Sequence, residues 1–138
     1  MTLKVKRLTD TARLPERNNA TDAGFDIFSD TDYDLRDFKE MVKTVATGIA
    51  VEIPTGYYGR LVARSGNTIK TGLRVYEGTI DSGYRGEVMV MCSGDHTVRA
   101  GDKIAQLIIQ PLPRIELQEA EELSESDRGV KGFGSSGT

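Results

Sequence analysis

Carboxylates, arginines, serines and glycines recur along this chain in short clusters, and these are the side chains that handle phosphate. They stand at Ala23-Gly24-Phe25-Asp26, at Ala63-Arg64-Ser65-Gly66, and in the long run Gly78 to Glu87 (GTIDSGYRGE). Two more follow, at Gly101 to Leu107 (GDKIAQL) and in the glycine-rich tail Arg128 to Thr138. Other chemistries have little material here. One histidine, His96, and one cysteine, Cys92, cannot build a His/Cys zinc site. A Ser–His–Asp triad would need His96, which sits in a polar turn (SGDHT). The tail segment GFGSSGT has the glycines of a phosphate loop, but no lysine follows its last glycine.

The elements that must position these clusters read as short strands between glycine-rich turns. Val42 to Ile53 is rich in β-branched residues and ends at Pro54-Thr55-Gly56. Further strands are expected over Tyr58 to Ala63, Glu87 to Cys92, Lys103 to Gln110 and Arg114 to Gln118. A short helical turn is expected around Asn67 to Thr71. The spacing predicts an all-β barrel or jelly roll. With 138 residues there is material for one domain. Residues 1–127 are expected to form the barrel and 128–138 a flexible arm. Glu116 to Asp127 carries six acidic residues and reads as a solvated final strand and linker.

Composition narrows the function classes. The net charge of −3 argues against a nucleic-acid interface, which needs clustered Lys and Arg. It does not exclude a small phosphorylated substrate, which would be held by a few placed arginines, backbone N–H groups and a metal ion. The longest apolar run, Val88 to Cys92, is far too short to span a membrane. The residues after Met1 include no apolar signal stretch, and the lone Cys92 suits a reducing compartment, so a cytoplasmic protein is expected, or a host cytoplasmic or nuclear one if the source is viral.

Taken together and in this order, the five clusters resemble the five motifs of the homotrimeric dUTP pyrophosphatases (dUTPases), over Ala20 to Gly137. The resemblance implies a distorted jelly-roll β-barrel of the β-clip type, a homotrimer with sites shared between subunits, Mg²⁺ as cofactor, and dUTP as substrate. It implies that Asp81 activates a water for in-line attack on the α-phosphorus. The Val75 to Ile80 side of the third motif, including Gly78 and Thr79, would read uracil through main-chain groups. Val75 stands where some members place an asparagine, and Glu77 is an unexpected charge beside a base pocket. Tyr84 would pack beneath the deoxyribose and exclude a 2′-hydroxyl, and Met89 would join the pocket. Arg85 and Glu87 would support the hairpin or an interface.

By the same resemblance, Ser65 and nearby N–H groups would bind phosphate oxygens, Gly66 would allow close approach, and Arg64 would orient Asp81 or add positive charge. Gln106 would contact phosphate or a metal-bound water, and Asp102 would hold a turn. Asp26 would anchor Mg²⁺ largely through water. In the arm, Phe133 would stack over uracil while Arg128, Gly134, Ser135 and Ser136 grip the γ-phosphate. Two rivals remain. A dCTP deaminase resembles this family but uses a glutamate for proton transfer ten residues after the shared aspartate, where this chain has Met91. A non-catalytic binding module would have no need of Asp81, Tyr84 and the tail together.

Overall fold

The computed structural model describes residues 1–134. Ten strands and one short helix follow one another: β1 (Lys4–Arg7), β2 (Gly24–Phe28), β3 (Tyr33–Asp34), β4 (Lys43–Glu52), β5 (Tyr57–Val62), α1 (Ser65–Thr71), β6 (Arg74–Tyr76), β7 (Gly78–Ile80), β8 (Glu87–Ser93), β9 (Thr97–Val98) and β10 (Lys103–Pro111). They form two four-stranded sheets, ordered β1-β4-β8-β6 and β2-β10-β5-β7, with β3 and β9 as a separate pair. Every ladder is antiparallel. Successive strands mostly fall in different sheets, so the chain winds back and forth between two layers, as a jelly roll does.

Period-two patterning puts one core between the layers. In β8, Val88, Val90 and Cys92 are buried while Met89 faces out. Ile27, Leu61, Ile104 and Leu107 reach the same cluster from the second sheet. Strand β4 is buried along nearly its whole length, and it carries a polar break at its middle. The buried Thr47 hydroxyl donates to the Val88 carbonyl at 2.5 Å, and Gly48 takes φ 69° where the β4–β8 register slips. A side chain at Gly48 would also strike Thr9, Ala12 and Asp30, each at 2.8 Å.

The four longest expected strands and the helical turn are present within a residue or two of their expected ends. The expected strand Arg114 to Gln118 is not. Beyond Pro111 the described chain has no ladder, and its last backbone bond to the barrel is Leu112 N–H to the Gly56 carbonyl, 2.8 Å. Ile115 and Leu117 are exposed, Leu117 completely. A strand needs a neighbouring edge to pair with, and among the described residues this segment forms no ladder with an open sheet edge such as β6 or β7. The long third cluster also differs from a plain hairpin. Its first limb changes sheets at Glu77, so β6 pairs with β8 while β7 pairs with β5.

Candidate functional site

That change of sheet opens a cleft. Because β7 leaves β8 for β5, the two limbs of the third cluster diverge, and a hollow of about 350 Å³ lies between them. Gly78, Thr79, Ile80, Asp81, Tyr84 and Met89 line it, so most of the expected base and sugar residues are brought together. Leu61, Val88 and Met91 complete an apolar wall that the motifs did not announce. Met91 stands opposite Thr44 on one side and Tyr76 on the other, a cross-strand register no local pattern reveals. Strand β7 is the last of its sheet, so the N–H and C=O groups on its far edge have no strand partner. An apolar slot beside unpaired main-chain donors and acceptors suits a planar heterocycle.

Val75 is not part of this slot. It stands in β6 opposite Cys92 and packs against the core, because the chain is still in the first sheet at that point. Glu77 also finds its explanation. Its carboxylate turns to Arg60 on β5, whose guanidinium holds it below the usual carboxylate range. The charge therefore lies on an outer surface as an ion pair.

Asp81 is exposed at the mouth of the cleft, at the start of the turn into β8. Its carbonyl accepts from the Tyr84 N–H at 3.1 Å, which closes that turn. The Tyr84 hydroxyl donates to the Glu87 carbonyl at 2.8 Å. Arg85 donates to the Ser82 carbonyl at 2.6 Å and pairs with Glu52 at 3.3 Å. The supporting roles expected of Arg85 and Glu87 are thus visible as turn and interstrand contacts.

A second, polar cleft of about 260 Å³ collects Asp26, Arg64, Ser65, Gly66 and Gln106. Asp26 on β2 lies opposite Gln106 on β10, and Gln106 opposite Val62 at the end of β5, from which Arg64 and the start of α1 follow. The Gln106 amide donates to the Ala63 carbonyl at 3.1 Å. Gly24 leaves it room, since a Cβ there would fall 2.5 Å from the Gln106 side-chain oxygen. Asp102 holds its turn as expected, its carboxylate accepting from the Arg99 N–H at 2.9 Å.

Two expectations change here. Arg64 does not reach Asp81 within the chain, for the two line different clefts. Instead its Nε donates to Asp26 Oδ1 at 3.0 Å. The other oxygen of Asp26 meets Lys103 Nζ at 3.3 Å, a partner the motifs did not suggest. With both oxygens engaged by cations, Asp26 is poorly disposed to anchor Mg²⁺. Among the described residues, no three His, Cys, Asp or Glu side chains converge on a common point. The described residues therefore offer no resident cage for the metal, and the cleft is polar, with Arg64, the Ser65 hydroxyl and the Gln106 amide beside Asp22 and Asp26.

The described part of the arm, Arg128 to Gly134, lines neither cleft. Past Leu112 the hydrogen bonds among the described residues are local, such as Arg128 Nε to the Lys131 carbonyl at 2.6 Å. Phe133 is fully exposed beside Gly134. Ser135 and Ser136 lie outside the described residues. The described residues of one chain thus hold an apolar slot, a polar pocket with Arg64 in it and an arm up to Gly134 that do not meet.

Comparison with known proteins identifies the family. The family model described as dUTPase matches residues 10–137. The deoxyuridine 5′-triphosphate nucleotidohydrolase of Clostridium tetani is 39% identical, over 99% of this chain and 97% of its own. The chain belongs to the dUTPase family. Among solved dUTPase structures, that of Staphylococcus bacteriophage 80alpha with dUPNHPP superposes with a TM-score of 0.93, at 38% identity over 99% of both chains. The dUTPase of phage phi11 of S. aureus, in a mutant form described with a structural Mg(II) ion, gives 0.83 at 34% identity, over 88% of this chain and 98% of that one. Family membership makes this an enzyme of the dUTP diphosphatase class. The jelly-roll expectation stands with it.

Proposed function

We propose that this enzyme hydrolyses dUTP to dUMP and pyrophosphate at sites built from three copies of the chain. The observation that carries the reading is the separation seen among the described residues: a base-shaped slot with Asp81 at its mouth, a polar pocket holding Arg64 and Ser65, and an arm with an exposed Phe133, none touching another. One copy supplies the slot, a second the pocket and a third the arm. Ile115, Leu117, Leu123 and Val130, all exposed, are then covered by neighbouring copies.

Uracil enters the slot between Met89 and the β7 edge, where main-chain groups pair with O4 and N3–H. Cytosine presents the opposite polarity and leaves buried groups unpaired, a defect worth roughly 10⁴–10⁵ in rate. The Tyr84 ring occupies the space of a 2′-hydroxyl. Asp81 accepts a proton from a water aligned with the α-phosphorus. The new P–O bond forms as the α–β bridging bond breaks, and pyrophosphate leaves with that bond's electrons. Arg64, Ser65, Gly66 and Gln106 hold the phosphate oxygens. Mg²⁺, held chiefly by the triphosphate itself, would offset charge on its oxygens. Arg128 and Phe133, with Gly134, Ser135 and Ser136, close over the nucleotide and exclude water. The enzyme works in the cytoplasm, or in that of a host; no helix among the described residues is long and apolar enough to cross a membrane.

Met91 lines the slot, and its thioether can neither give nor take a proton, which disfavours deamination. Incubation of the purified protein with dUTP and Mg²⁺ should release pyrophosphate and dUMP without ammonia, and sedimentation should give three times the chain mass of 15.1 kDa. Release of ammonia, or silence toward dUTP, would overturn the reading.

A further inference from the structure

Behind the phosphate pocket lies another hollow, of about 370 Å³, which Arg64, Asn67, His96 and Lys103 help to line. Asn67 belongs to this rear hollow and not to the pocket in front, yet it completes a closed ring of polar contacts that includes the pocket. Asp26 Oδ1 accepts from Arg64 Nε at 3.0 Å, and Arg64 Nη1 donates to Asn67 Oδ1 at 3.2 Å. Asn67 Nδ2 donates to the Lys103 carbonyl at 2.6 Å, and Lys103 Nζ returns to Asp26 Oδ2 at 3.3 Å. The ladder slips between Lys103 and Ala105, which frees that carbonyl for the amide. Because Nδ2 must face a carbonyl, Oδ1 is left facing the guanidinium, and the amide orientation is determined.

We infer that Asn67 is a positioning residue that clamps the Arg64 guanidinium for the triphosphate. Asp26 holds one side of the planar group and Asn67 the other. The Nη2 end then remains for an anion. Two cations and one carboxylate leave the ring a single positive charge, and the neutral amide fixes the arginine without cancelling it. A carboxylate at the same place would hold the guanidinium but remove the charge. An apolar residue would leave it tethered on one side only. The inference rests on the phosphate role proposed above for Arg64.

Asn67→Leu separates the possibilities when read with three ligands: dUpNHpp, inorganic pyrophosphate and deoxyuridine. A positioning role weakens dUpNHpp and pyrophosphate about tenfold, the scale of one hydrogen bond to a charged group, and leaves deoxyuridine within twofold. In an Arg64→Lys background, which lacks Nη1, the same change adds less than twofold. Equal weakening of deoxyuridine, or unchanged affinity for both phosphate ligands, overturns the inference. So does a full tenfold loss on top of Arg64→Lys. Should Asn67→Leu fail to fold, Asn67→Ser takes its place in the same titrations. If the unaltered enzyme neither cleaves dUTP nor binds dUpNHpp, it is the proposed function that fails instead.

Discussion

Replacing Gly86 by alanine tests the sugar wall without substituting any residue that would contact the nucleotide. A Cβ built at Gly86 falls 2.4 Å from the Tyr84 hydroxyl oxygen, 2.6 Å from Cζ and 2.9 Å from Cε1. Three contacts under 3 Å cannot be absorbed, so either the ring or the backbone must move. Gly86 does not take a left-handed φ, so alanine itself fits the backbone. The Tyr84 ring is 45% exposed and free to swing outward. What it loses is one neutral hydrogen bond to the Glu87 carbonyl, about 1 kcal/mol. In a domain of this size that lowers Tm by roughly 2–8 °C.

Function should suffer more than stability. With the ring displaced, the space denied to a 2′-hydroxyl opens. Steric rejection of one small group in a pocket is worth about 1–3 kcal/mol, or roughly 10–200-fold. The ratio of kcat/KM for dUTP over UTP should therefore fall by about that factor in Gly86→Ala. Tyr84→Phe keeps the ring and loses only the hydrogen bond, so its ratio should fall by about fivefold at most. Steady-state kinetics with both nucleotides, alongside a melting curve, decide the matter. An unchanged ratio in a Gly86→Ala enzyme that still turns over dUTP would show that the ring is not the wall. A loss of Tm far beyond 8 °C would show that Tyr84 is chiefly structural.

Asp81→Asn should lower kcat by about 10²–10⁴ while dUpNHpp affinity stays within a few-fold, because the water loses its base but the slot is intact; near-normal turnover would remove Asp81 from the chemistry. Deleting residues from Arg128 onward should leave the melting curve unchanged and abolish most activity, since that segment makes only local hydrogen bonds among the described residues; a truncated protein that unfolds would make the arm structural. Cys92 is fully buried in β8, and burial pushes its thiol up to about 11. The folded state thus keeps the thiol proton more tightly than the unfolded chain, whose value is 9.0. Its contribution to stability is complete below pH 9 and disappears as pH rises through 11. Urea midpoints should fall across that window less steeply in Cys92→Val, and equal slopes would refute the assignment.

Much of the site was legible locally. Asp81 and Tyr84 come from one turn, and Gly78 to Ile80 from the strand before it, so their proximity follows from chain continuity. Arg64, Ser65 and Gly66 are likewise adjacent, and their meeting with Asp26 and Gln106 required only that motifs of similar chemistry share a sheet. Three details escaped. Val75 was expected beside the base, but the chain changes sheets after Tyr76, and sheet membership depends on partners far away in sequence. Lys103 was not foreseen at Asp26, because a lysine at a strand start carries no local sign of its ion pair. Arg114 to Gln118 has the composition of a strand but pairs with no strand among the described residues.

The amino-acid sequence by itself determined the chemistry available and the class of fold. Alternating apolar residues between glycine turns commit the chain to strands, and one histidine with one cysteine leaves phosphate-handling groups as the working material. Tertiary structure alone decided the grouping of those residues into an apolar slot and a separate polar pocket, and the pairing of Asp26 with two cations instead of open solvent. The reason is physical. Backbone and side-chain periodicity act over a few residues, whereas strand register and ion pairing are settled by packing between segments dozens of residues apart.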